Sequence, residues 1–242
     1  LVADLAAHHQ RFSSANSINI GRLVPQIVYY IHAYAQLVNQ GQVQAGEPVT
    51  IVVPTGNFGN VLAAYYASQI GLPVRQFVVA SNENHVLTDF FQTGRYDRQR
   101  AFKVTNAPAM DILVSSNLER LLYFASGRNT AEVKRYMQDL ADKGAYEVTP
   151  ETRRQLSQFT AGFATQEQVT KTIQAVFDQT QYTIDPHTAV GRFVLSEQAI
   201  SGPTLLAATA SPYKFADTVL PALGAQAETG YQGLAQLAQL TQ

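Results

Sequence analysis

The stretch VTIVVPTGNFGNVLAAYYASQIGLPVRQFVVA, Val49 to Ala80, decides the fold class. Val49 to Val53 is a continuous β-branched run, too short for a helix and flanked by breakers, which reads as a buried strand. Thr55 to Asn60 (TGNFGN) then places two glycines and two asparagines ahead of Val61 to Ile70, whose small apolar residues suit a helix. Gly71 stands where left-handed geometry closes that helix. Val74 to Ala80 is a second strand. Strand, glycine loop, helix and strand in this order make a βαβ unit, so the spacing predicts an α/β protein with a parallel sheet covered by helices.

Upstream, Leu23, Ile27, Tyr30, Ile31, Tyr34, Leu37 and Val38 recur at helical spacing with Pro25 near the start, which predicts one helix of about five turns. GQVQAGEP, Gly41 to Pro48, breaks it. Downstream, Asn84 is expected to cap a short helix running to Phe91. Leu118 to Phe124 and Glu132 to Leu140 read as helices, and Thr149 with Pro150 as a cap and first-turn pair. Thr165 and Gln168 form a capping-box pattern ahead of Val169, Ile173, Val176 and Phe177. Asp185 and Pro186 open a helix to about Ala199, and Thr204 to Ala208 is a third strand. No internal repeat, low-complexity segment or heptad run interrupts the pattern.

The composition narrows the function. The 242 residues are 46% hydrophobic, enough for a sizeable core. Seventeen basic against 18 acidic residues, with no basic run, favour neither a nucleic-acid backbone nor an anionic membrane. The absence of cysteine excludes disulfides, thiolate ligands and a cysteine nucleophile, and suits the cytoplasm. The opening LVADLAAHHQRF has no leader pattern, and no apolar stretch reaches bilayer length. Because residue 1 is Leu, the chain is expected to begin inside a longer gene product.

Two stretches carry candidate chemistry. TGNFGN is either a turn needing positive φ or a phosphate cradle, in which glycines let main-chain amides approach an anion at a helix start. It is neither GxGxxG nor the lysine-bearing nucleotide loop. Its place at the carboxyl end of a parallel strand favours binding. ANSINIGR, Ala15 to Arg22, either caps the following helix or offers amides, a hydroxyl and a guanidinium to a second anion. His8, His9, His32, His85 and His187 show no metal-ligand spacing, no GxSxG elbow is present, and no carboxylate pair stands out. No metal is expected.

NSINIGRLVPQIVYY, VPTGNFGN, GLPV, FFQTGRY, APAMDILVSSNLERLL, DPHTAVG and TASPYKF together resemble threonine synthase, a pyridoxal-phosphate enzyme of the tryptophan-synthase-β-like fold, in family order over nearly the whole chain. The resemblance implies that Gly56, Asn57, Phe58, Gly59 and Asn60 hold the cofactor phosphate and that Thr209 partners the pyridine nitrogen. It implies that Asn16, Ser17 and Arg22 bind the phosphate of O-phosphohomoserine, which loses phosphate and takes up water to give threonine.

In the family a lysine both holds the cofactor as a Schiff base and serves as the base, and it lies upstream of NSIN. Lys103, Lys134, Lys143, Lys171 and Lys214 stand in none of the family's lysine contexts, although Lys214 matches a terminal KF; a surface charge at a helix start is the plainer expectation for it. Ser211 stands where the family usually shows His, and Thr188 where it shows Gly. The chain is therefore expected to be a carboxyl-terminal part, with residues 1–21 ending the smaller domain, residues 22–242 in the large cofactor domain, and a mostly helical region at about 115–180. It is expected to be inactive without the missing amino-terminal part. The alternatives are a truncated, non-catalytic protein that binds a phosphometabolite or pairs with a separate subunit, and a related phospho-lyase.

Overall fold

The computed structural model describes residue 8, residues 16–228 and residues 230–241. Nearly all of LVADLAAHHQRF, including His9, lies outside the described residues, as does most of the segment assigned to the end of a smaller domain. The chain order is α1 (Ile20–Leu23), α2 (Ile27–Asn39), β1 (Val49–Pro54), α3 (Gly59–Gln69), β2 (Val74–Ser81), α4 (Val86–Thr93), β3 (Arg95–Asp97), α5 (Leu118–Ala125), α6 (Thr130–Lys143), β4 (Ala145–Glu147), α7 (Pro150–Gln155), β5 (Phe159–Phe163), α8 (Gln166–Thr180), α9 (Pro186–Ser196), β6 (Thr204–Leu206), α10 (Ala216–Ala222) and α11 (Gly230–Leu240). Short 3-10 turns occupy Val24–Gln26, Pro108–Met110 and Pro212–Phe215.

A four-stranded sheet, ordered β5-β2-β1-β6, is parallel throughout. β1 lies inside it and every one of its residues is buried, which is why Val49 to Val53 shows no alternation of apolar and charged residues. Alternate residues serve opposite layers. Ile51, Val53, Phe77 and Val79 pack with Tyr30 of α2, Leu62 of α3, Phe90 of α4 and Leu122 of α5. Val52, Val78 and Ala80 pack with Ile173 of α8, Val190 of α9, Leu220 of α10 and Leu237 of α11. The result is a three-layer α/β/α arrangement.

From β1 the chain moves through α3 to β2 and outward to β5. It then returns through α8 and α9 to place β6 on the other side of β1. The direction of winding reverses between β1 and β6, and a crevice opens at the carboxyl ends of strands at such a reversal.

Several local expectations hold. Thr165 and Gln168 form the capping box reciprocally, Thr149 accepts from the Thr152 amide, and Asp185 accepts from the amides of His187 and Thr188. Two are corrected. The single helix expected from Asn16 onward is interrupted by the 3-10 turn at Val24–Gln26, because Pro25 lacks an amide and its ring crowds the preceding turn. Asn84 does not cap α4, whose N-cap position is His85. Its side chain instead donates to the carbonyl of Lys103 at 2.8 Å and accepts from the Lys103 amide at 2.9 Å, clasping a segment 19 residues away.

Candidate functional site

At the carboxyl ends of β1 and β6 lies a cleft of about 920 Å³. Asn16, Ser17, Arg22, Gly56, Asn57, Phe58, Gly59, Asn60 and Thr209 all line it. Two loops separated by more than thirty residues in sequence thus share one cavity with the loop that follows β6.

The loop from Thr55 to Asn60 turns β1 into α3. Among the described residues, no protein group accepts a hydrogen bond from the main-chain amides of Gly56, Asn57, Phe58, Gly59 or Asn60. The first amides of a helix have no intrahelical partner and carry positive partial charge, so this row of donors is suited to an anion. Phe58 adopts φ 63°, ψ 3°, a left-handed conformation uncommon for a bulky residue. Its ring turns away into the core, 1% exposed, stacked at 5.9 Å on Phe91 and 6.3 Å from Phe159. Burial of that ring holds the reversal of the main chain against its strain. Gly56 is required for a different reason: a Cβ there would stand 2.8 Å from the Ala109 carbonyl and 3.2 Å from Met110 Cα.

The second loop is built from Asn16 to Arg22. Asn19 caps α1 by accepting from the Gly21 amide at 2.8 Å, and the Asn16 side chain accepts from the Ile18 amide at 3.2 Å. With four residues, α1 supplies little dipole, so the donors this loop offers are chiefly the side chains of Asn16, Ser17 and Arg22. The two loops abut: a Cβ on Gly59 would lie 3.7 Å from both Ser17 Cβ and the Ser17 carbonyl. A chain of side chains joins them as well. Tyr30 donates its hydroxyl to Asn60, whose amide donates to Gln26 Oε1 at 2.9 Å, and Gln26 Nε2 donates to the Arg22 carbonyl at 2.7 Å. Burial pushes the Tyr30 hydroxyl pKa up, so Tyr30 remains a donor.

Across the cleft, His187 is fixed by two partners. Its Nε2 accepts from the Ala109 amide at 3.1 Å, so Nδ1 carries the proton and donates to Asp185 at 3.0 Å. Asp185 is itself buried, which raises its pKa, but hydrogen bonds from His187 and Thr188 outweigh burial and hold the carboxyl below its ordinary value. Thr188, standing where the family pattern has Gly, uses its hydroxyl to donate to the second carboxylate oxygen. The Pro108–Met110 turn is therefore gripped between His187 and Gly56. Thr209 is exposed on the wall after β6, and Lys214 lies at the rim with its ammonium 5.6 Å from the Phe215 ring centroid. Lys214 is a surface charge, as expected, and is also a lining residue. Ser211 precedes the Pro212–Phe215 turn without capping it.

Gln26, Tyr30, His187 and Lys214 line the same cleft but were not among the site residues read from sequence. Gln26 and Tyr30 lie four apart, a spacing that signals a shared helix face and nothing about its partner. Among the described residues, no group of three potential ligands could hold a metal, and no helix is long and apolar enough to cross a membrane.

No family model matches the chain. It is 42% identical over 214 residues to threonine synthase-like 1 of Homo sapiens, a match covering 87% of this chain and 29% of that protein. It is 35% identical over 229 residues to threonine synthase of Saccharomyces cerevisiae, covering 87% and 44% respectively. The crystal structure of PLP-bound threonine synthase from Brucella melitensis superposes with a TM-score of 0.84 at 36% identity, over 99% of this chain and 50% of that one. The chain spans about half the length, or less, of these relatives. By sequence and by fold, it belongs to the threonine synthase family.

Proposed function

We propose that this chain is the carboxyl-terminal part of a pyridoxal-phosphate-dependent threonine synthase, with residues 1–21 closing the smaller domain and residues 22–242 forming much of the large one. The complete protein would convert O-phospho-L-homoserine and water to L-threonine and phosphate, and a cytoplasmic setting belongs to the same proposal. One observation carries it: the row of amides from Gly56 to Asn60, which has no protein acceptor among the described residues, opens into the cleft that also holds Thr209 and Arg22. The residues fit the cofactor on that ground, since convergent donors suit a phosphate ester and the Thr209 hydroxyl in the same cavity can hydrogen-bond a pyridine nitrogen.

When bound, pyridoxal phosphate supplies an electron sink for the carbanion chemistry of amino acids. The chain's own residues act around it. The amides of Gly56 to Asn60 receive the ester dianion. Thr209 offers a hydroxyl, a group that shares a hydrogen bond with a ring nitrogen but does not protonate it. Asn16, Ser17 and Arg22 take the substrate phosphate, with the guanidinium supplying charge-assisted bonds. His187 keeps its proton at Nδ1 and leaves Nε2 to Ala109, which fixes the wall facing the glycine loop. The base that moves protons belongs to the uncovered half of the protein, so the chain alone is inactive in this proposal.

A second reading, a non-catalytic chain that binds a phosphometabolite or pairs with a separate subunit, draws on one observation. Of the five lysines, Lys214 alone lines the cleft, and it does so at an exposed rim position. Mixing the chain with a polypeptide comprising the amino-terminal half of a relative separates the two. Phosphate release from O-phosphohomoserine with formation of threonine is expected from the mixture and from neither part. A keto acid in place of threonine would instead identify a phospho-lyase. Calorimetric titration with pyridoxal phosphate tests the binding step directly: saturable binding competed by inorganic phosphate is expected, and no heat of binding would defeat the proposal.

A further inference from the structure

Asn117 occupies the N-cap position of α5, where Asn commonly accepts from an amide of the first turn. It makes no such bond. Its side chain is wholly buried and points elsewhere. Nδ2 donates to the Asn57 carbonyl at 2.8 Å and to the Ser17 carbonyl at 3.0 Å, using both of the protons a carboxamide has. Its main-chain amide donates to Asn57 as well, at 3.1 Å. Oδ1 accepts from the Arg120 guanidinium, whose Nη2 donates to the Ile18 carbonyl at 2.8 Å. One saturated buried amide therefore bridges the loop of Gly56 to Asn60 and the loop of Asn16 to Arg22, and Arg120 fixes both the amide and the second loop.

We propose that Asn117 is a positioning residue that sets the spacing between the two anion-binding loops, so that a ligand ordering one loop tightens the other. Asn117 touches neither ligand. Its effect passes through the carbonyls of Asn57 and Ser17, which share a single donor group with no slack in it. Binding at one loop immobilises Asn57, hence the Asn117 side chain, hence Ser17; the linkage is reciprocal, as any coupling between two sites must be. The Gln26–Asn60 contact lies nearer solvent and ends at Arg22, so it serves as an internal comparison.

The inference rests on the proposed function for the identity of the ligands, but its first test needs none. Amide hydrogen exchange of the ligand-free chain is compared between wild type, Asn117→Ala and Asn117→Asp. Exchange across residues 16–22 is expected to accelerate by about tenfold or more in both variants, while peptides from β1 and β2 keep their protection. Gln26→Ala is expected to leave residues 16–19 unchanged. Unaltered exchange at 16–22 in a folded Asn117→Ala chain would overturn the inference. Should that variant not fold, Arg120→Ala, whose side chain is only half-buried, releases Ile18 and frees the amide of Asn117, and the same peptides decide.

The second readout is coupling. The dissociation constant of O-phosphohomoserine is measured with and without saturating pyridoxal phosphate. Wild type is expected to show tightening of roughly fivefold or more, and Asn117→Ala a ratio near one with its affinity for pyridoxal phosphate little changed. Equal coupling in both proteins would overturn the inference. Failure of wild type to bind either ligand would count against the proposed function, whereas the exchange result stands without it.

Discussion

Replacement of Phe58 separates the two energies that its conformation sets against each other. Its left-handed backbone costs an L-residue roughly 1–2 kcal/mol, while burial of its ring against Phe91 and Phe159 offsets that cost. Phe58→Ala removes the ring and keeps the strain, and Phe→Ala in a core costs about 3–5 kcal/mol. Phe58→Gly removes the same ring but relieves the strain, at the cost of roughly 0.5–1 kcal/mol of additional unfolded-state freedom. The glycine variant is therefore expected to equal or exceed the alanine variant in stability by up to about 1.5 kcal/mol. In an ordinary helix the order is reversed, with Gly about 1 kcal/mol worse. Phe58→Leu, retaining both strain and most of the burial, should lose only the aromatic contacts, about 1 kcal/mol. Urea unfolding followed by circular dichroism, with the slopes compared between variants, reads all three. An alanine variant more stable than the glycine variant by about 1 kcal/mol would refute the account of Phe58 as a strained residue held by its ring.

Gly56→Ala pushes a Cβ against the Ala109 carbonyl and is expected to weaken pyridoxal phosphate binding more than about tenfold, while overpacking costs stability by only about 1–3 kcal/mol; unchanged affinity in titration calorimetry would contradict the proposed geometry. Asp185 has a folded pKa below its unfolded one, so its stabilisation is fully present above about pH 4 and is lost as pH falls through the folded value. Asp185→Asn should therefore lose stability at pH 7 and show a shallower further loss between pH 4 and pH 2 than wild type in urea midpoints; parallel acid limbs would count against it. On the alkaline side, burial chiefly raises the Tyr96 hydroxyl to about 12 and Tyr146 well above its ordinary value. Their contribution is complete below the unfolded value of about 10 and falls as pH rises from there towards 12. Tyr96→Phe should flatten that alkaline decline, with tyrosinate absorbance near 295 nm reporting the ionisation.

Features written in short spans of chain were legible. Val49 to Ala80 carries its strand, glycine loop, helix and strand in consecutive residues, and the caps at Thr149, Thr165 and Asp185 each reach only two or three residues onward. The resemblance likewise named Gly56 to Asn60, Asn16, Ser17, Arg22 and Thr209, which line one cleft. β5 escaped notice: Phe159 to Phe163 is five residues long with Gly162 inside it, too brief and broken to show a strand period. The roles of Asn84 and Asn117 are not legible in the sequence for a common reason. Each is a residue type whose local preference is to cap a helix, and each spends its side chain on partners far along the chain, 19 residues away for Asn84 and 100 for Asn117 and Ser17.

By itself, then, the order of residues determined the α/β class, the helix starts at Thr149, Thr165 and Asp185, and the residue types of the two loops, because periodicity, capping and glycine placement act over a few residues. Only the tertiary structure decided that the two loops share a wall, that His187 is held between Ala109 and Asp185, and that a buried Asn117 joins Asn57 to Ser17. Those facts depend on the parallel sheet bringing distant segments to the same ends of its strands, and a long-range hydrogen bond leaves no periodic trace in the sequence that makes it.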